Sequence, residues 1–167
     1  MPQYRRLYIP GACVFVTLTL QDRGSDLLVR HVDLLRQAVR DTRAERWFGI
    51  DGWVVLPDHM HCLWQLPEGD ADYSTRVGAI KARFSMAVRR AGFTPPLPQT
   101  GPDGRVNPAL RKGQVGIWQK RFWEHHIRDD RDWIAHRQYC WMNPVKHGFV
   151  EEPEDWPYSS YLRDIGA

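Results

Sequence analysis

The chain has 167 residues, three cysteines and a net charge of +3. That length suits one globular unit with a real core and excludes a comfortable pair of domains. Three widely spaced cysteines without a C-x-x-C pair exclude a disulfide framework or a zinc ribbon, and no apolar run approaches a membrane span.

In chain order, Ala12 to Leu20 alternates apolar residues with threonine and predicts a strand. The start "MPQYRRLYIPGACVFVTLTL" carries no signal-peptide cleavage pattern, so the expectation is a reduced, cytosolic protein. Asp26 is expected to cap a helix running to about Arg46, with Leu27, Leu28, Leu34, Leu35, Ala38 and Val39 on its apolar side. "WFGIDGWVVL" and "HMHCLWQL" read as two strands joined by a tight Pro-Asp turn. After the loop "PEGDADYS", Ser74 is a possible cap for a second helix ending near Arg90. Residues 92–116 are rich in Pro and Gly and predict a long loop. "WQKRFWEHHI" reads as a fourth strand, and "DDRDWIAHRQYCWMN" as a third helix with acids in its first turn, ended by Pro144 and followed by Gly148. The tail "DWPYSSYL" is expected to pack through Trp156 and its tyrosines.

Strand, helix, strand, strand, helix, strand and a further helix is an α+β order. It matches the ferredoxin-like split β-α-β pattern: a four-stranded antiparallel sheet with helices on one face, plus a C-terminal helix. One unit over 1–167 is expected, with the other face of the sheet open.

The charge is unevenly spread. Residues 73–128 hold eleven Lys/Arg against two acids, which suggests a polyanionic partner, although a charge run is more often a solvated helix face. Arg83, Lys120 and Arg121 are the phosphate contacts favoured here, with plain solvation as the bland reading. Trp118, Phe122 and Trp123 sit among basic residues and could stack bases. With eight tryptophans to place, core packing is the simpler reading for most of them.

The pair His59 and His61 carries the chemistry. Strand alternation puts His59, His61 and Gln65 on one face and Met60, Cys62, Trp64 and Leu66 on the other. The apolar set belongs under the helices, so the imidazoles project from the open face, close enough to share a cation. Two ligands do not complete a site. On the third helix Asp132, His136, Tyr139 and Asn143 fall at i, i+4, i+7 and i+11 along one polar stripe. Asn143 can offer an amide oxygen as a third ligand. Tyr139 is the one tyrosine in such company, although a tyrosine is more commonly an amphipathic packing residue. His136, one turn away, could orient it. Glu124, His125 and His126 could line the site from the fourth strand, or serve structure alone. These parts suit attack on a phosphodiester by a tyrosine oxygen, helped by a divalent ion because a phenol is a weak nucleophile at neutral pH.

"VVLPDHMHCLW", "WQKRFWEHHIRDDRDW" and "YCWMNPVKHGFV" together resemble the REP-associated tyrosine transposases of the His-hydrophobic-His (HUH) group of single-strand transposases, as does "YRRLYIPGACVFVTLTL". The likeness extends along nearly the whole chain apart from residues 92–116. It implies a catalytic domain of the ferredoxin-like type, Mg²⁺ or Mn²⁺ as cofactor, and cleavage of single-stranded DNA beside palindromic hairpins through a covalent phosphotyrosine. It places His59 and His61 at the metal, Tyr139 as the nucleophile, Asn143 near the metal, and Arg5 and Arg6 in reading the hairpin foot. It also implies a monomer, in contrast to insertion-sequence relatives that exchange tyrosine helices as dimers, and a bacterial cytoplasm, with the protein on the nucleoid when bound. A non-catalytic DNA or RNA hairpin binder on the same sheet is the alternative, and a pure binder has no need of His59, His61, Tyr139 and Asn143 together.

Overall fold

The computed structural model describes residues 5–94 and 116–166, so most of the expected 92–116 loop lies outside the described residues. Four strands, β1 (Cys13–Thr19), β2 (Gly49–Val55), β3 (His59–Gln65) and β4 (Trp123–His126), form one sheet in the order β2-β3-β1-β4. The pairings β1·β3, β1·β4 and β2·β3 are antiparallel. This is the split β-α-β arrangement, in which β3 lies between β1 and β2.

The alternation along β3 is realised. Met60, Cys62, Trp64 and Leu66 join Val14, Val16 and Leu18 in the main core, beneath α2 (Val32–Glu45) and α3 (Tyr73–Arg90). The expected first helix is interrupted. A short α1 (Leu27–Arg30) ends at His31 before α2 begins, and the Asp26 side chain caps nothing. It pairs instead with Arg30, while the Ser25 hydroxyl accepts from the Leu27 N–H at 3.2 Å. The cap of α3 is Asp72 and not Ser74: its carboxylate accepts from the Thr75 N–H at 3.0 Å. The loop before α3 is pinned by Arg76, 1% exposed, which donates to Asp70 at 2.7 and 3.1 Å and to the Arg46, Trp47 and Asp72 carbonyls. A buried guanidinium needs that many acceptors to offset its lost hydration.

The fourth strand is shorter than expected. Trp118 bridges to Leu20 alone, and regular pairing begins at Trp123.

The larger correction concerns the face thought to be open. Helix α4 (Asp130–Lys146) lies across it, closing a second apolar cluster of Phe15, Val54, Leu56, Leu63 and Cys140. Trp133, on the same helix, packs against that cluster and donates from its indole N–H to Asp51 at 3.0 Å. A β-bulge between Ile50 and Gly52 accompanies this contact. At Gly52 the helix comes so close that an added Cβ would sit 3.7 Å from Cys140 Sγ.

Helix α4 starts at Asp129, whose side chain accepts from the Asp132 N–H at 2.8 Å. It does not end at Pro144, as expected, but runs through it to Lys146. Proline so near the end of a helix removes a single hydrogen bond. The terminus closes with Gly148 N–H to the Val145 carbonyl and Phe149 N–H to the Pro144 carbonyl, with Gly148 at φ +72°, a Schellman arrangement that requires a left-handed residue. Tail residues 156–160 close the β2 edge: Trp156 donates to the Val55 carbonyl at 2.9 Å, and Ser159 bridges to Val54. No helix among the described residues is long and apolar enough to cross a membrane.

Candidate active site

His59 and His61 project from β3 into the space between the sheet and α4. Both are buried, at 7% and 5% exposure, because α4 covers them. Their rings lie edge to face with centroids 5.0 Å apart. Each Nδ1 is held: His59 Nδ1 donates to Asp58 Oδ1 at 2.6 Å, and His61 Nδ1 meets the Thr17 hydroxyl at 2.7 Å. Thr17 is the direct cross-strand partner of His61. This leaves Nε2 on each ring to face the site, the arrangement by which outer hydrogen bonds orient histidine ligands.

The imidazoles are held neutral, as metal binding requires. Burial, then the neighbouring His59 and His147, lower His61 to about 3. Burial also lowers His59, and the Asp58 hydrogen bond only partly offsets it.

Two groups missed in the sequence complete this corner. His147 faces His59 with centroids 5.4 Å apart. It lies one turn beyond Asn143, and extending the helix through Pro144 would have revealed it. Asp58, in the turn between β2 and β3, fixes the His59 ring and also pairs with Arg23 at 2.8 Å.

Asn143 is 1% exposed, and both its amide oxygen and nitrogen lack a hydrogen-bond partner. His61 Nε2 is likewise buried and unpartnered. Orphaned buried polar atoms are rare and costly. Two imidazole nitrogens and an amide oxygen form a donor set suited to a divalent cation, so these residues fit the metal that the resemblance implies.

Tyr139 reaches the same space. Its ring stands edge-on to His61 at 5.1 Å and to Phe15 at 5.9 Å, with Lys146 Nζ over the ring, 5.5 Å from its centroid. It is 40% exposed. A cavity of about 520 Å³ opens here, lined by Thr17, His61, Trp123, His136 and Tyr139 with Phe15. The cysteines offer no rival nucleophile: burial first, then Asp51 and Asp132, push Cys13 up to about 12, and burial raises Cys62 and Cys140 as well.

His136 shares the cavity but its hydrogen bonds go elsewhere. Nδ1 donates to the Asp132 backbone carbonyl at 2.9 Å and lies 3.1 Å from Asp132 Oδ1. His125, on β4, donates from Nε2 to Asp132 Oδ2 at 2.8 Å and stacks on His136 with centroids 4.6 Å apart. Burial opposes ionisation of Asp132, but bonds from His125 and the Arg128 N–H outweigh it and hold the carboxyl at about 2. Among the described residues, His125, Asp132 and His136 are the one trio of His, Cys, Asp or Glu with ligand atoms mutually within 4.8 Å. A cation there would have to displace the hydrogen bonds Asp132 already accepts.

β4 alternates too. Trp123 and His125 face α4, whereas Glu124 and His126 face the helices beneath. Glu124 pairs there with Arg6 at 3.3 Å, and Arg6 stacks on Phe122 at 3.6 Å. Lys81 joins this cluster, lowered to about 8 by burial and by Arg6. Arg5, Lys120 and Arg121 are exposed. Arg83 is not near the site: it pairs with Glu45 and donates to Thr42 on α2. Of the three aromatics weighed as base platforms, Trp118 is core, Phe122 packs against the core, and Trp123 is 54% exposed.

No protein-family model matches the chain. Known proteins do. A REP-associated tyrosine transposase of Escherichia coli (strain K12) is 42% identical over 165 residues, covering 99% of this chain and 86% of its own length. A Haemophilus influenzae relative is 41% identical over 167 residues, covering 100% of this chain and 89% of its own. A solved structure of a REP-associated tyrosine transposase bound to a REP hairpin superposes with a TM-score of 0.82 at 42% identity, covering 99% of this chain and 86% of that one. With its sheet order, its histidine pair beneath the tyrosine helix and this full-length likeness, the chain belongs to the REP-associated tyrosine transposases.

Proposed function

We propose that this protein cuts and rejoins single-stranded DNA beside REP-type hairpins, with Tyr139 as the nucleophile. The observation that carries this reading is the approach of the Tyr139 ring to His61 at 5.1 Å, beside an unpartnered imidazole nitrogen and an unpartnered amide. The relative solved with a REP hairpin supports the substrate class.

In this mechanism the Tyr139 oxygen forms a bond to the scissile phosphorus as the bond to one bridging oxygen breaks. The phenol gives up a proton and the departing oxygen gains one, leaving a strand-end hydroxyl and a protein-linked phosphate. A later hydroxyl reverses the exchange and releases Tyr139. Lys146 sets a positive charge over the Tyr139 ring, and the α4 scaffold fixes the tyrosine against β3. His59, His61 and Asn143 would hold Mg²⁺ or Mn²⁺, which supplies Lewis acidity toward the phosphate when bound. Asp58 and Thr17 keep both ligand rings in register by holding Nδ1. Arg5, Lys120 and Arg121, all exposed, would contact the DNA backbone and the hairpin foot, acting from one chain, while Arg6 stays paired with Glu124 against Phe122.

The test is incubation of the protein with a hairpin oligonucleotide bearing single-stranded flanks, in Mn²⁺. A covalent protein–DNA product is expected, lost in Tyr139→Phe and lost in chelator. Cutting by Tyr139→Phe at the parent rate would sink the nucleophile assignment, and a full-length chain that binds hairpins without ever forming an adduct would leave only the binder.

A further inference from the structure

On the face that α4 covers, Trp123, Thr17 and His61 stand side by side on β4, β1 and β3. The outer two are separated by two strand spacings, roughly 10 Å. The middle residue is small, and its hydroxyl is turned to His61. The gap above Thr17 is the cavity of about 520 Å³, with Tyr139 and His61 at one end and Trp123 at the other. That volume lies within the range of small-ligand sites.

Trp123 is half exposed yet held in place. Phe15 meets it edge-on at 5.9 Å, and His125 lies parallel to it, 6.0 Å away at 6°. His125 is itself fixed by Asp132 and stacked on His136. An indole braced in this way on one side offers a preorganised flat surface on the other. A core tryptophan needs no such exposure, and a solvated one needs no such bracing.

We infer that this cavity receives one unpaired nucleobase of the DNA strand, adjacent to the phosphate that Tyr139 attacks, stacked on Trp123. The inference rests on the nucleophile reading above, because the cavity shares Tyr139. A group covalently joined to the scissile phosphate must then lie within a few bonds of the cavity mouth. The flat aromatic part of a nucleotide is its base, and a base still paired inside the hairpin stem cannot leave its stack cheaply. The occupant is therefore a flank nucleotide. The lining is chiefly carbon and ring surface, so it reads stacking and size, not a particular hydrogen-bonding edge. The His125–Asp132–His136 trio acquires a role as the brace for Trp123, and these are positioning residues.

The experiment measures binding in the Tyr139→Phe background, where no adduct forms, with Mn²⁺ and a hairpin oligonucleotide whose single-stranded flanks carry one abasic site, walked position by position. At one position next to the cleavage point, base removal should weaken binding at least about five-fold, the range of a single base–aromatic stack. Adding Trp123→Ala should weaken the intact oligonucleotide by a similar factor and erase the penalty of that abasic site, while Trp123→Phe keeps most of both. Unchanged affinity of Trp123→Ala for the intact strand overturns the inference. So does a penalty at every abasic position that simply multiplies with the Trp123→Ala loss. A wrong nucleophile shows itself separately, as cutting in the Tyr139→Phe protein, and leaves the abasic pattern readable.

Discussion

Asn143 holds a primary amide in a site where neither end finds a partner, on the helix that covers the histidines. An unsatisfied buried polar group of this kind costs about 1–3 kcal/mol. Under the proposed function, a bound cation would relieve that cost. Asn143→Leu keeps the branched shape and heavy-atom count of the side chain and removes both orphaned atoms. In chelator, the variant should be more stable than the parent by about 1 kcal/mol. In saturating Mn²⁺ the order should invert. The parent gains stability from any ligand bound only by the folded state, about 2.7 kcal/mol at a hundred times Kd, and the variant should lose most of that gain. Thermal unfolding with and without Mn²⁺ reads both effects. A variant that keeps the full Mn²⁺ upshift would remove Asn143 from the ligand set. His59 and His61 were legible from strand alternation alone, because period two leaves no freedom about which residues share a face. Asp58, Thr17 and His147 were not. Asp58 holds the ring of the very next residue, a contact set by how the turn aims its side chain and not by periodicity, and Thr17 acts across a strand pair that local spacing does not encode. His147 was hidden by reading Pro144 as a stop, when its position in the last turn costs the helix little.

The elements were readable where one periodicity dominated: β3, α3 and the order of strands. What could not be read was that α4 lies over the second face of the sheet. Only Cys140, Asn143 and Pro144 of that helix are buried, so its inward stripe is narrow and lacks the broad apolar face by which a covering helix is recognised. The close approach is made possible by the partner strand. Gly52 presents no side chain where α4 crosses β2, and an added Cβ would stand 3.5 Å from Leu63 Cβ, 3.7 Å from Cys140 Sγ and 3.8 Å from Arg137 Cγ. Those are ordinary contacts, so Gly52→Ala should shift stability by less than about 1 kcal/mol. The two further methyls of Gly52→Val have nowhere to go without lifting the helix. That overpacking should cost about 1–3 kcal/mol and reduce single-turnover cleavage more than DNA binding, since the displaced helix carries Tyr139. Denaturant midpoints and adduct-formation rates would show it. A Gly52→Val protein as stable and as fast as the parent would mean that α4 does not depend on this contact.

Across the whole molecule, a net charge of +3 conceals how the basic residues are used. Several are committed to the protein itself: Arg76 to Asp70 and three carbonyls, Arg83 to Glu45 and Thr42, Arg6 to Glu124 and the Phe122 ring. Composition cannot distinguish such cations from ones left for a ligand, which is why Arg83 ranked beside Lys120 and Arg121 in the sequence. The structure separates them, because Lys120 and Arg121 are exposed just ahead of β4, near the edge where Trp123 opens the cavity. Each protein cation that neutralises a phosphate releases a counterion, which steepens the fall of affinity with salt by roughly 0.7 for single strands and 0.9 for duplex. The double variant Lys120→Gln, Arg121→Gln should therefore lower the slope of log K against log salt by about 1.4–1.8 for a flanked hairpin. Arg83→Gln should leave the slope unchanged and instead lower the melting temperature slightly, because its ion pair with Glu45 sits on the α2–α3 face. A salt titration of all three proteins decides the matter: if Arg83→Gln flattens the slope and the double variant does not, the DNA runs over the helical face and not across the β4 edge beside Tyr139.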